Sequence, residues 1–149
     1  MPRLLLVYHS RSGRTEALTE QVVLGASEAD VELIVKRAEA ADADDVAAAD
    51  GYLFGTPENF GAMAGMFKDF LERIYYPLQD RIPGRPYALF VACGNDGQGA
   101  VESTRRVLRG LQLKEVQAPV IWKQADPLPQ SAAHELGLTV ALGLQHRLW

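Results

Sequence analysis

The sequence predicts an α/β fold: one three-layer domain over residues 1–149, with a five-stranded parallel sheet in the order 2-1-3-4-5 between helices. Three observations predict it. Five short apolar runs alternate with stretches of helical periodicity, as in a parallel sheet wound by crossover helices. The second and fifth runs each carry a residue suited to a sheet edge, Glu32 and Pro119, and this order puts both strands at edges. Polar, glycine-containing loops follow the first, third and fourth runs, whose carboxyl ends the same order sets side by side.

Composition bounds the function classes. A chain of 149 residues lies in the range of one domain with a full core. With 48% apolar and 23% charged residues it is an ordinary globular protein, and a net charge of −4 gives no basis for binding nucleic acid. Cys93 is the single cysteine, which excludes an internal disulfide framework or a cysteine-rich metal centre and suits a reducing, cytoplasmic setting. His134 and His146 read as helix-surface residues, and no two histidines have ligand spacing. Met1-Pro2-Arg3 leads into only five apolar residues, too few for a signal peptide or a membrane-inserting span.

Leu4 to Tyr8 do not alternate, so they predict a strand buried on both faces. From Thr15 the pattern is helical, with Leu18, Val22, Gly25 and Ala26 on one face. Val31 to Val35 is the second strand. Arg37 to Asp50 predicts a short exposed helix, and Asp42, Asp44, Asp45 and Asp50 read as its solvated face rather than a docking patch. Tyr52 to Phe54 is the third strand, closing at Gly55. Met63, Met66, Phe67, Phe70, Leu71 and Ile74 then form the stripe of a core-facing helix. Pro77, Pro83, Gly84 and Pro86 mark the crossing to a fourth strand, Tyr87 to Ala92. Val101, Val107, Leu108 and Leu111 lie on the next helix. Glu115 to Trp122 is the fifth strand, with Pro119 removing a ladder donor. The last helix sets Ala133, Leu136, Val140, Leu144 and Leu148 on one face.

The first loop, Ser10-Arg11-Ser12-Gly13-Arg14-Thr15, offers three hydroxyls, two guanidinium groups and a glycine where the backbone must turn. A helix beginning there aims its unpaired N–H groups and positive dipole end above the strand, which makes an anion site, most often for phosphate. Neither G-x-x-x-x-G-K-[ST] nor G-x-G-x-x-G is present. The second loop is Thr56-Pro57-Glu58-Asn59-Phe60-Gly61 and the third is Cys93-Gly94-Asn95-Asp96-Gly97-Gln98-Gly99. At the switch point of the sheet, the three loops define a cleft.

Ser-x-Ser-Gly-x-Thr after a first strand resembles the [ST]-x-[ST]-G-x-T phosphate loop of the flavodoxin superfamily. Gly55-Thr56-Pro57-Glu58-Asn59-Phe60-Gly61-Ala62-Met63 is similar to the G-T-P-x-x-F-G-x-M segment of WrbA-type NAD(P)H:quinone oxidoreductases. The resemblance implies noncovalent flavin mononucleotide (FMN). Ser10, Ser12 and Thr15 would bind its phosphate, while Arg11 and Arg14 either assist or stay solvated. Pro57 and Phe60 would wall the ring system, and Gly61 would let the backbone approach the flavin N5 edge. The backbone of the third loop would meet the pyrimidine edge, with Gly94, Gly97 and Gly99 allowing the approach. Cys93 reads as a small buried residue rather than a redox thiol, and His9 as a phosphate or substrate contact or a solvent-facing loop residue. The third loop lacks the aromatic residue that many flavodoxins press on the flavin. The implied activity is electron transfer from NAD(P)H to a quinone or similar acceptor, the flavin doing the chemistry without a catalytic side chain. The alternative is a one-electron carrier docking to a redox partner protein, and a homodimer is one assembly open to either.

Overall fold

In the computed structural model, which describes residues 1–149, β1 (Arg3–Tyr8) is an inner strand of the sheet. Leu5 and Val7 enter one apolar layer and Leu4 and Leu6 the other, all four buried, which is why the strand shows no polar alternation. The chain continues through α1 (Arg14–Ala26), β2 (Glu32–Arg37), a 3-10 turn at Ala38–Ala40, α2 (Ala43–Ala48), β3 (Gly51–Asn59), β4 (Ala62–Met63) and α3 (Gly65–Leu78). It ends with β5 (Pro86–Cys93), α4 (Gln98–Gly110), β6 (Lys114–Glu115), β7 (Val120–Lys123) and α5 (Gln130–Gln145). The parallel strands run β2-β1-β3-β5-β6, with β7 also parallel to β5 and β4 antiparallel to β3. Helices α1 and α5 cover the smaller core layer, whereas α2, α3 and α4 cover the larger one. No helix is long and apolar enough to cross a membrane.

The expected α/β architecture is present, but the sheet has seven strand segments rather than five. The expected fifth strand is two: β6 pairs with Pro86 and Tyr87, and β7 with Phe90 to Cys93. Between them lies Pro119, whose missing N–H breaks the ladder. The third strand runs past Gly55 to Asn59, because Thr56 and Pro57 still pair with β5 and Glu58 and Asn59 with β4. Met63 therefore sits in a hairpin, and Met66 is 42% exposed, so the core stripe of α3 is Phe67, Phe70, Leu71 and Ile74. Phe67 and Phe70 meet Phe54 at ring-centroid distances of 5.9 and 6.2 Å. Burying each such ring contributes roughly 1.5–3 kcal/mol.

Three smaller differences have local causes. Pro77 lies within α3, in its last turn, where it forfeits only the single bond its nitrogen would give. Leu148 falls after α5 ends and is exposed. Two aspartates of the acidic run are helix caps: Asp42 accepts from the Asp45 N–H and Asp45 from the Asp42 N–H, each at 3.0 Å. This reciprocal capping box starts α2.

Helices α1 and α5 cross at two glycines. A Cβ on Gly137 would overlap the Val22 carbonyl, and one on Gly25 the His134 carbonyl, and neither backbone group can swing aside. Replacing a helical glycine by alanine gains up to about 1 kcal/mol of helix propensity, whereas overpacking costs about 1–3 kcal/mol. The second effect wins here. Gly137→Ala is expected to lower the urea midpoint, while Gly65→Ala, which meets open space, leaves it unchanged or raises it. A Gly137→Ala protein as stable as the parent would show that the helices do not pack this closely.

Candidate functional site

The loop between β1 and α1 is held at both ends. The His9 N–H donates to the Gly55 carbonyl at 3.1 Å, and the Ser10 hydroxyl oxygen accepts from the Glu16 N–H at 3.1 Å. Ser10 is thereby buried, with its own hydroxyl hydrogen left to donate. Gly13 has φ +96°, a left-handed conformation that puts the start of α1 directly after the turn, and as the N-cap residue it has no side chain to cap the helix. The N–H groups of Arg11, Ser12, Gly13, Arg14 and Thr15 meet no acceptor within the protein. The Thr15 hydroxyl, on a residue 1% exposed, also has no partner. A buried unpaired hydroxyl costs roughly 1–3 kcal/mol. Beside a row of open N–H groups at a helix N-terminus, it matches a bound anion, and the phosphate of FMN fits that donor set.

The two arginines of this loop differ. Arg11 is exposed and unpaired with any acid, whereas the Arg14 guanidinium donates to the Cys93 carbonyl at 3.1 Å and the Trp122 carbonyl at 3.3 Å. It also lies over the Trp122 ring, 4.5 Å from the centroid. Arg14 thus ties α1 to the ends of β5 and β7 rather than reaching over the loop. Ser12 is exposed.

The second stretch is a strand end and a tight hairpin. The Thr56 hydroxyl donates to the Pro57 carbonyl at 2.8 Å and accepts from the Ala64 N–H at 3.0 Å. Glu58 pairs with Met63 and Asn59 with Ala62. A Glu58 carboxylate oxygen accepts from the Ala100 N–H at 3.1 Å, fastening the hairpin to the first turn of α4. At its tip Phe60 and Gly61 have φ +53° and +74°, the pattern of a type I′ turn, which favours Asn-Gly. Left-handed backbone at a bulky residue costs roughly 1–3 kcal/mol, and the Phe60 ring is wholly exposed. Neither backbone nor burial favours phenylalanine there.

In the third loop Cys93 is buried, and burial followed by the nearby Glu58 carboxylate pushes its thiol up, so it stays protonated at neutral pH. Its Sγ lies 3.5 Å from the Asn95 carbonyl. Gly94, Asn95 and Asp96 are exposed; the Asp96 carboxylate accepts from the Gln98 N–H at 3.0 Å, and Gly97 opens α4. A Cβ on Gly99 would overlap the Gly61 carbonyl, so its bareness admits the hairpin.

The sequence reading missed Arg37, Trp122 and Ser103. Arg37, at the end of β2, donates to the Ser10 carbonyl at 2.6 Å and to Glu39 at 3.1 Å. Ser103 accepts from the Met63 N–H at 3.0 Å, holding the hairpin from α4. None of these contacts follows a local motif. The largest cavity, about 650 Å³, lies at the other end of the sheet, against Met1, Asp50, Pro86 and Trp149, remote from all three loops.

A family model described as NADPH-dependent FMN reductase matches residues 16–126. An NAD(P)H dehydrogenase (quinone) of Acidithiobacillus ferrooxidans is 32% identical over 126 residues, covering 70% of this chain and 62% of that protein. A flavodoxin of Aquifex aeolicus is 31% identical over 100 residues, covering 66% of this chain and 54% of that protein. The chain therefore spans less than two thirds of either relative. A solved flavodoxin from the domain Archaea superposes with a TM-score of 0.82 at 19% identity, over 97% of this chain and 99% of that one, a likeness of fold. Matched over more than half its length, and carrying its three loops on a flavodoxin-like sheet, the chain belongs to the NADPH-dependent FMN reductase family.

Proposed function

We propose that the chain binds FMN at the carboxyl ends of β1, β3 and β5 and passes electrons from NAD(P)H to a quinone or similar small acceptor. The observation that carries this reading is Phe60, an aromatic ring disfavoured by its own backbone and wholly exposed at the same end of the sheet as the loop that keeps Thr15 buried and unpaired. Ser10, Ser12 and Thr15, with the N–H groups from Arg11 to Thr15, would hold the phosphate. Pro57 and Phe60 would flank the ring system, Gly61 would meet its N5 edge, and the backbone of Gly94, Asn95, Asp96 and Gly97 its pyrimidine edge. FMN supplies the electron chemistry when bound, and the protein orients it and sets its surroundings. The family match and the quinone-directed relative support the enzyme reading. So does the third loop, which carries no aromatic ring to cover a flavin face where a nicotinamide or quinone could stack. A cytoplasmic setting suits the single buried thiol.

A second reading, the one-electron carrier docking to a redox protein, is favoured by the Aquifex aeolicus flavodoxin relative. The two differ in what reduces the flavin. With FMN-loaded protein under anaerobic conditions, NADH or NADPH is expected to bleach the flavin absorbance and a soluble quinone to restore it. Bleaching by dithionite but by neither nicotinamide would establish the carrier reading.

The site assignment carries its own signature, a trade of stability against affinity. Thr15→Val removes an unpaired buried hydroxyl, so the apoprotein should melt no lower than the parent. FMN binding should weaken by roughly 10- to 100-fold through loss of a hydrogen bond to a charged group. Phe60→Asn should likewise raise the apoprotein midpoint while weakening FMN binding. Calorimetric melts and flavin titration check both, and unchanged FMN affinity in both variants would place the cofactor elsewhere.

A further inference from the structure

We propose that Arg37 is a positioning residue for the phosphate site: it latches the Ser10 carbonyl and so fixes which way the first peptide of the loop faces. The inference rests on the FMN-site reading above. A trans peptide is planar, with its C=O and N–H on opposite sides. The Arg37 guanidinium takes the Ser10 carbonyl at 2.6 Å. The N–H of the same peptide, that of Arg11, is thereby held on the far side, where no protein group accepts it. Were this peptide to turn over, a carbonyl would replace an N–H at an anion site, exchanging attraction for repulsion.

Several contacts hold the latch itself. Arg37 pairs with Tyr8 across the sheet and its guanidinium lies 5.2 Å from the centre of the Tyr8 ring. Its Nε donates to Glu39 Oε2 at 3.1 Å, and Glu39 Oε1 stands 3.9 Å from the buried Nδ1 of His9. Hydrogen bonding to Glu39 is the main reason the Arg37 guanidinium is held more firmly charged than usual. The adjacent carboxylate offsets that charge at a distance, so the action of Arg37 on the loop is directional. It needs a fork that serves Glu39 and Ser10 at once, and a lysine ammonium lacks that geometry.

The experiment compares FMN and riboflavin binding, by titration of the apoprotein, in the parent, Arg37→Ala, Arg37→Lys and Glu39→Gln. Riboflavin lacks the phosphate and reports the remainder of the site. Both Arg37 variants are expected to bind FMN about tenfold more weakly while riboflavin affinity moves less than about twofold. Glu39→Gln, which loosens the support and keeps the arginine, should shift the FMN-to-riboflavin ratio the same way by roughly two- to threefold. A parent that prefers FMN, with variants that keep its full preference, would overturn the latch and leave the site reading intact. Full rescue by Arg37→Lys would also overturn it, in favour of simple charge. A parent that binds both flavins equally would sink the phosphate-site reading, and the latch with it. If Arg37→Ala does not fold, Arg37→Lys and Glu39→Gln decide.

Discussion

Everything at the functional end of this molecule depends on where backbone carbonyls point. Near the carboxyl rim of the parallel sheet, the carbonyls of Ser10, Cys93 and Trp122 are each taken by an arginine. Arg14 serves Cys93 and Trp122, and Arg37 serves Ser10. Around those satisfied carbonyls, the N–H groups from Arg11 to Thr15 and the Thr15 hydroxyl have no partner within the protein. The dipole of α1 adds its positive end at the same place. Two guanidinium groups thus shape the site through the backbone.

The same end of the molecule holds its least comfortable residues. Thr15 keeps a buried hydroxyl without a partner, and Phe60 holds a left-handed backbone with its ring in solvent. Each costs on the order of 1–3 kcal/mol, against a typical domain stability of about 5–15 kcal/mol. Such costs persist because the surroundings fix them. Ser103 and the Ala100 N–H bind the hairpin to α4, and Gly99 lets the two come close. On the α3 and α4 side of the sheet, Tyr52, Phe54, Phe67 and Phe70 form a continuous aromatic layer.

What could be read in the sequence was local. The β1 run declared burial on both faces within five residues, and Ser10 to Thr15 placed donors, turn and helix start in six consecutive positions. The edge marks Glu32 and Pro119 ordered the sheet for the same reason. What escaped was made by distant partners. Arg37 meets Ser10 across 27 residues and Arg14 meets Trp122 across 108, with no spacing rule to announce either. Strand length also escaped, since Thr56 to Asn59 are polar and earn strand geometry only through β5 and β4. The packing of Gly99 against the hairpin also escaped, because a bare glycine looks alike whether a ligand or a neighbouring hairpin approaches it.

The rims of the sheet are poor templates for a further strand. Along β2, Glu32, Lys36 and Arg37 are tied to Arg3, Asp45 and Glu39. The opposite rim is cut into two-residue and four-residue pieces around Pro119. Neither side presents a long, flat, uncharged row of backbone groups for another molecule to extend, the usual route to runaway strand addition. Met66 and Tyr76, the large apolar side chains exposed on α3, stand on a helix and offer no such row either.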